Sequence, residues 1–138
     1  MKDSAIVDII SRKLAPFVLL FGFYLISHGH LSPGGGFQGG VVLASGVILL
    51  SLSRGADMAQ GLFPRRPLTM VVMVAFLLIL TMGFAGLLMG KHFLGDFLHT
   101  GKAGEMHSAG FIFVLDLLIG IKVGAGMSLI CLYLLRED

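Results

Sequence analysis

Four apolar runs separated by short polar stretches make up most of this chain, and they are long enough to predict membrane-crossing helices. Ahead of the first, Ile6, Val7, Ile10 and Leu14 recur at helical spacing against Asp3, Ser4, Asp8, Ser11 and Arg12. That alternation predicts an amphipathic lead-in at the membrane interface over roughly residues 1–13, running into a span over about residues 14–30. The run from Leu14 to Ser27 alone is about 21 Å long as a helix against a hydrocarbon core of roughly 30 Å. Unless the lead-in enters the membrane, His28 and His30 lie below its surface. Further spans are predicted over about residues 33–53, 68–90 and 107–135, with a polar loop from Arg54 to Pro67 and a mixed loop from Lys91 to Met106. The expectation is an all-α, polytopic integral membrane protein: one membrane domain with four transmembrane helices.

Composition agrees with that pattern. A mean hydropathy of +0.94 and only 13% charged residues exclude an ordinary soluble domain. The N-terminus lacks a short apolar region followed by a small-residue cleavage site, which predicts that the run from Leu14 is retained as a span. The single cysteine, Cys131, cannot form an intrachain disulfide and lies in an apolar run, as an inert packing residue would. With four spans both ends of the chain share one side. Lys2, Arg12, Lys13, Arg54, Arg65, Arg66 and Arg136 fall there, and only Lys91 and Lys102 on the other, so the positive-inside rule predicts cytoplasmic termini in the cell membrane.

Between the first two spans lies His28-Gly-His-Leu-Ser-Pro-Gly-Gly-Gly-Phe-Gln-Gly-Gly40. Irregular backbone at membrane depth survives only where it is buried in protein or lines a wet cavity. Ser32 can cap a helix that starts at Pro33, and Gly34, Gly35 and Gly36 would make that start weak without neighbours. Gly35 with Gly39, and Gly36 with Gly40 and Ala44, lie four apart and suit close helix packing; Gly86 and Gly90, and Gly120, Gly124 and Ser128, form similar rows. The segment reads either as tight helix packing or as a broken helix whose freed amides and carbonyls face an ion path. Phe37 and Gln38, its sizeable side chains, are candidates for a gate or a polar contact. No Gly-Lys-Ser/Thr is present, which excludes a phosphate loop.

Asp116 and Lys122 fall near the middle of the last predicted span, where each charge costs at least about 2.5 to 3.5 kcal/mol. Six residues of helix separate them by about 120° around the axis and about 9 Å along it, so they do not form a simple pair on one face. They read as an ion or proton path or as buried contacts that fix which subunits dock. The five histidines, His28, His30, His92, His99 and His107, collect at the outer end of the bundle. They suit a proton-entry funnel with Glu105 beside His107, a zinc site from His28, His30 and His107, or ordinary interfacial positions. Their place at span ends, with no Cys-x-x-Cys-His, argues against haem.

With His30, Pro33 to Phe37 and Gly39-Gly40 in hand, the chain resembles the MnhB/MrpB family of small membrane subunits from Mrp-type (Mnh or Pha) sodium/proton antiporters. Members carry Gly-His-x-x-Pro-Gly-Gly-Gly-Phe-x-Gly-Gly after a first span, matched here from Gly29 to Gly40, and Asp116 resembles an aspartate of the family's final span. Gln38 and Lys122 depart from the bacterial pattern and lean toward related subunits of archaeal membrane-bound hydrogenases and sulfur-reducing complexes. The resemblance implies a non-enzymatic accessory subunit that holds no cofactor of its own. Its partners would be the lipid bilayer and other membrane subunits of an Mrp-type complex, with no nucleic acid, and the ions moved would be Na+ and H+. Asp116 would then bind the cation or exchange a proton, with Lys122 its charge partner or competitor. The rival readings are a structural scaffold without a transport role and a redox anchor holding haem or quinone.

Overall fold

A computed structural model describes residues 5–29, 35–90 and 111–137, and these fold as helices with no strand among them. In chain order they are α1 (Ala5–Ser27), α2 (Gly35–Arg54), α3 (Ala56–Leu62), α4 (Arg65–Leu88) and α5 (Phe111–Glu137). α1, α2, α4 and the Phe113–Arg136 portion of α5 are long and apolar enough to cross a membrane. The all-α, four-span architecture is the one that the hydropathy pattern predicts.

Lead-in and first span form one helix. The 23 residues of α1 make a rod of about 34 Å, which carries through Pro16. Ile6, Ile10, Leu14, Phe17 and Phe21 point outward, whereas Ser11, Ala15, Gly22 and Ile26 are buried. The other helices repeat this inversion, with Met70, Met73, Leu77 and Phe84 of α4 exposed and Ala75, Gly83 and Gly86 buried. In lipid an outward apolar side chain loses nothing, while small inward residues let backbones approach, so packing replaces the hydrophobic effect as the source of association. The serines fit the same scheme: Ser51 and Ser128 are buried, and their hydroxyls donate to Val47 and Gly124 of their own helices at 2.8 and 2.7 Å.

Contacts fix the helix directions. Leu19, Gly22 and Ile26 meet Gly46, Leu43 and Gly39, so α1 and α2 are antiparallel. Gly36 meets Asp116 and Gly40 meets Gly120 and Gly124, so α2 and α5 run parallel. Phe76 meets Lys122 and Arg65 meets Leu132, so α4 lies antiparallel on α5. Arg12, Arg54, Arg65, Arg66 and Arg136 are thereby gathered toward one end of the bundle, and Gly29, Gly35, Gly36 and Asp116 toward the other.

At the arginine end, Arg65 donates from Nη2 to the carbonyl of Leu132 at 3.2 Å and its guanidinium lies 4.5 Å over the Tyr133 ring. A cation beside the last turns of α5 is favoured by the helix dipole. Arg12 pairs with Asp8 one turn earlier at 2.9 Å.

Two local features differ from the sequence pattern. The stretch after Arg54, expected as a polar loop, holds the seven-residue α3, and α4 then begins at Arg65 directly after extended Pro64. Pro67 is accommodated because the first turn of a helix needs no N–H there. Gly90, expected in a packing row with Gly86, is exposed at φ 75° and donates to the carbonyl of Leu87 at 3.0 Å, so it ends α4 instead.

Candidate functional site

The glycine end is organised by one carboxylate. Asp116 Oδ1 accepts a hydrogen bond from the backbone N–H of Gly36 at 3.0 Å, across 80 residues of sequence. Gly36 is the second residue of α2, so its amide is among those that the helix cannot satisfy internally. α2 thus receives a capping acceptor from a different helix, and a negative charge stands at the positive end of its dipole. Gly35 begins the helix at φ 80°, a conformation open to glycine with little strain.

This contact exists because α2 and α5 approach without side chains between them. A Cβ on Gly36 would run into the backbone carbonyl of Asp116, and one on Gly40 would lie 2.6 Å from the carbonyl oxygen of Gly120. The neighbouring face of α2 meets α1, where a Cβ on Gly39 would lie 2.5 Å from Ile26 Cγ1. Ile26 itself is 2% exposed and wedged between Gly39 and Gly120, tying three helices together. The second carboxylate oxygen of Asp116 faces α1: a Cβ on Gly29, just past the helix end, would collide with Oδ2. Asp116 therefore stands between the carbonyl-rich end of α1 and the amide-rich start of α2.

The remaining predicted residues are distributed around this centre. Asp116 is five residues into α5 as described, nearer the glycine end than a span starting at His107 implied. Lys122 is not joined to it. The helix turns the ammonium away from α2 toward α4, where Nζ lies 4.6 Å over the Phe76 ring. His28 follows the end of α1, its ring stacked on Tyr24 at 4.5 Å with Nδ1 donating to the Tyr24 carbonyl at 3.2 Å. Gly35, Gly36, Gly39 and Gly40 are helical, and since three of them are buried against α1 and α5, Phe37 and Gln38 fall on the outer face, Phe37 62% exposed. His30, Pro33, Gly34, Glu105 and His107 lie outside the described residues. Among the described residues no three His, Cys, Asp or Glu side chains gather as metal ligands would.

Sequence reasoning singled out Asp116 and Gly36 but did not join them, and it passed over Gly29 and Ile26. The register was partly visible, since Gly36–Gly40 and Asp116–Gly120–Gly124 repeat every four residues and can interlock as parallel rows.

Comparison with known proteins places the chain among antiporter components. Residues 6–129 match the family model described as a domain related to the MnhB subunit of Na+/H+ antiporter. The chain is 30% identical over 139 residues to the corresponding MnhB-type Na(+)/H(+) antiporter protein of Alkalihalophilus pseudofirmus, covering 99% of this chain and 94% of that protein. It is 29% identical over 129 residues to protein MJ1307 of Methanocaldococcus jannaschii, covering 89% of this chain but only 49% of the relative. Among solved structures it is similar to a chain of the membrane-bound sulfane sulfur reductase, an archaeal respiratory membrane complex, at TM-score 0.83 and 34% identity, covering 98% of this chain and 59% of that one. The chain thus spans about half the length of the methanogen relative and about three fifths of the solved chain.

Proposed function

The chain belongs to the MnhB-related family of Na+/H+ antiporter subunits, and on that footing we propose that it is a membrane subunit of a multisubunit sodium/proton antiporter module of the kind built into archaeal respiratory complexes. Within it, Asp116 is the carboxylate at which Na+ and H+ exchange. The chain transports rather than catalyses, works among other membrane subunits, and has its arginine end in the cytoplasm, in keeping with the positive-inside rule.

The single observation that carries this is the unequal setting of the two Asp116 oxygens. Oδ1 is held by the Gly36 amide, whereas Oδ2 faces Gly29 at the end of α1. Helix C-terminal carbonyls beside a carboxylate form the oxygen-rich, negatively polarised setting in which transporters coordinate Na+. A proton on Oδ2 answers the same polarity, because the resulting O–H donates to a carbonyl where the ion was held. One oxygen can thus hold either cation while the other keeps the helices docked.

Infrared difference spectra of the purified complex with and without Na+ at fixed pH test this exchange. Sodium is expected to remove a protonated-carboxyl band and raise carboxylate bands, and Asp116→Asn is expected to abolish that pair of changes. A sodium difference without any carboxyl signal would refute exchange at Asp116 and leave the residue a packing anchor, as the scaffold reading has it.

A further inference from the structure

Lys122 is a charge without a counter-ion among the described residues. It lies nine residues, about 13 Å of helix, after Phe113 and about 21 Å before Arg136, within the apolar window of α5. A lysine stem does not carry its ammonium from that depth to either membrane surface. Phe76, on α4, supplies the only contact the structure gives Nζ among the described residues, and a cation over an aromatic face is worth about 0.5–2 kcal/mol. Burying the charge costs at least about 2.5–3.5 kcal/mol. Asp116 does not make up the difference, because it is turned about 120° away and holds Gly36.

The face that carries Lys122 has room for a partner. Gly126 follows one turn later and only about 40° round the helix. A Cβ built there meets nothing within 4 Å, whereas one on Gly120 or Gly124 meets α1 or α2. Phe76 is 47% exposed and forms one side of this open strip. A glycine facing open space beside a buried charge suits a helix that approaches closely and brings the opposite charge.

We propose that the Lys122–Gly126 face of α5 is covered by a membrane-spanning helix of a different subunit, whose aspartate or glutamate pairs with Lys122. Lipid does not fit, since acyl chains carry no charge and headgroup anions remain at the surface. A second copy of this chain does not fit either: of its described acids, Asp8 is paired with Arg12 and lies with Asp57 toward the arginine end, and Asp116 caps α2. The proposal rests on the chain's place in a multisubunit complex and not on ion exchange at Asp116.

Dicyclohexylcarbodiimide, an apolar reagent that enters membranes, tests it on the whole purified complex. It activates a buried carboxylate as an O-acylisourea. An adjacent lysine amine then attacks the acyl carbon, an amide forms and dicyclohexylurea leaves, taking one carboxylate oxygen and two protons of the former ammonium. Mass spectrometry is expected to find the Lys122 peptide joined to an acidic residue of another subunit. Lys122→Arg is expected to lose the cross-link and keep that subunit, and Lys122→Met to lose several-fold of it. A Lys122 bridge to a carboxylate of this same chain, or a Lys122→Met complex with every subunit at its wild-type level, would overturn the proposal. Sodium-linked carboxyl bands that persist in Lys122→Met complexes would keep it distinct from exchange at Asp116.

Discussion

Replacing Gly36 with alanine is expected to remove most of the folded subunit from the membrane complex. Within an ordinary helix, glycine to alanine is stabilising by about 1 kcal/mol. At Gly36 the new methyl meets the backbone carbonyl of Asp116, which cannot rotate aside as a side chain would. α2 must move away from α5, at an overpacking cost of about 1–3 kcal/mol. The same displacement breaks the hydrogen bond to Asp116 and leaves an amide unpaired in an apolar setting, which costs several kcal/mol more. Gly61→Ala is the matching control, because nothing lies within 4 Å of a Cβ there. Immunoblots of subunit content in isolated membranes should show Gly36→Ala depleted and Gly61→Ala unchanged.

Substitutions of Asp116 are expected to divide its packing role from its charge. Asparagine keeps an oxygen that can accept from Gly36, so it loses the charge at the start of α2 but not the cap. A charge at a helix terminus is worth about 0.3–1 kcal/mol, and up to about 2 when partly buried. Leucine removes the acceptor as well and orphans the Gly36 amide, for a total loss of several kcal/mol. Thermal melting of the purified complex should therefore run wild type, then Asp116→Asn slightly lower, then Asp116→Leu well below both. Equal melting for the asparagine and leucine variants would mean that the bond to Gly36 contributes nothing to the fold.

The spans were legible because each apolar run is bounded by charge or by Pro and Gly, and hydropathy reports that locally. The small-residue rows were legible too, since a repeat every four residues lies on one helix face wherever the helix packs. Which row meets which was not. Gly36 and Asp116 are 80 positions apart, and nothing near either says that α2 and α5 run side by side. Gly90 was misread because a glycine spaced four from another looks the same whether it packs or ends a helix; only its positive φ distinguishes the two. The short α3 gave no signal, being seven residues long with no side-chain cap to mark its start. Lys122 and Asp116 were found as costly charges but not as charges facing different helices toward different ends of the span, because the direction of a side chain depends on neighbours that one helix does not specify.

The central claim is that Asp116 exchanges cations and does not merely dock α2 on α5. Sodium-dependent proton transport by the whole complex in sealed vesicles tests it most directly, comparing wild type with Asp116→Asn at matched subunit content. Loss of coupled transport by the asparagine variant, with all subunits present, is the expected result. Transport at the wild-type rate would contradict it and would put the sodium path in the partner subunits.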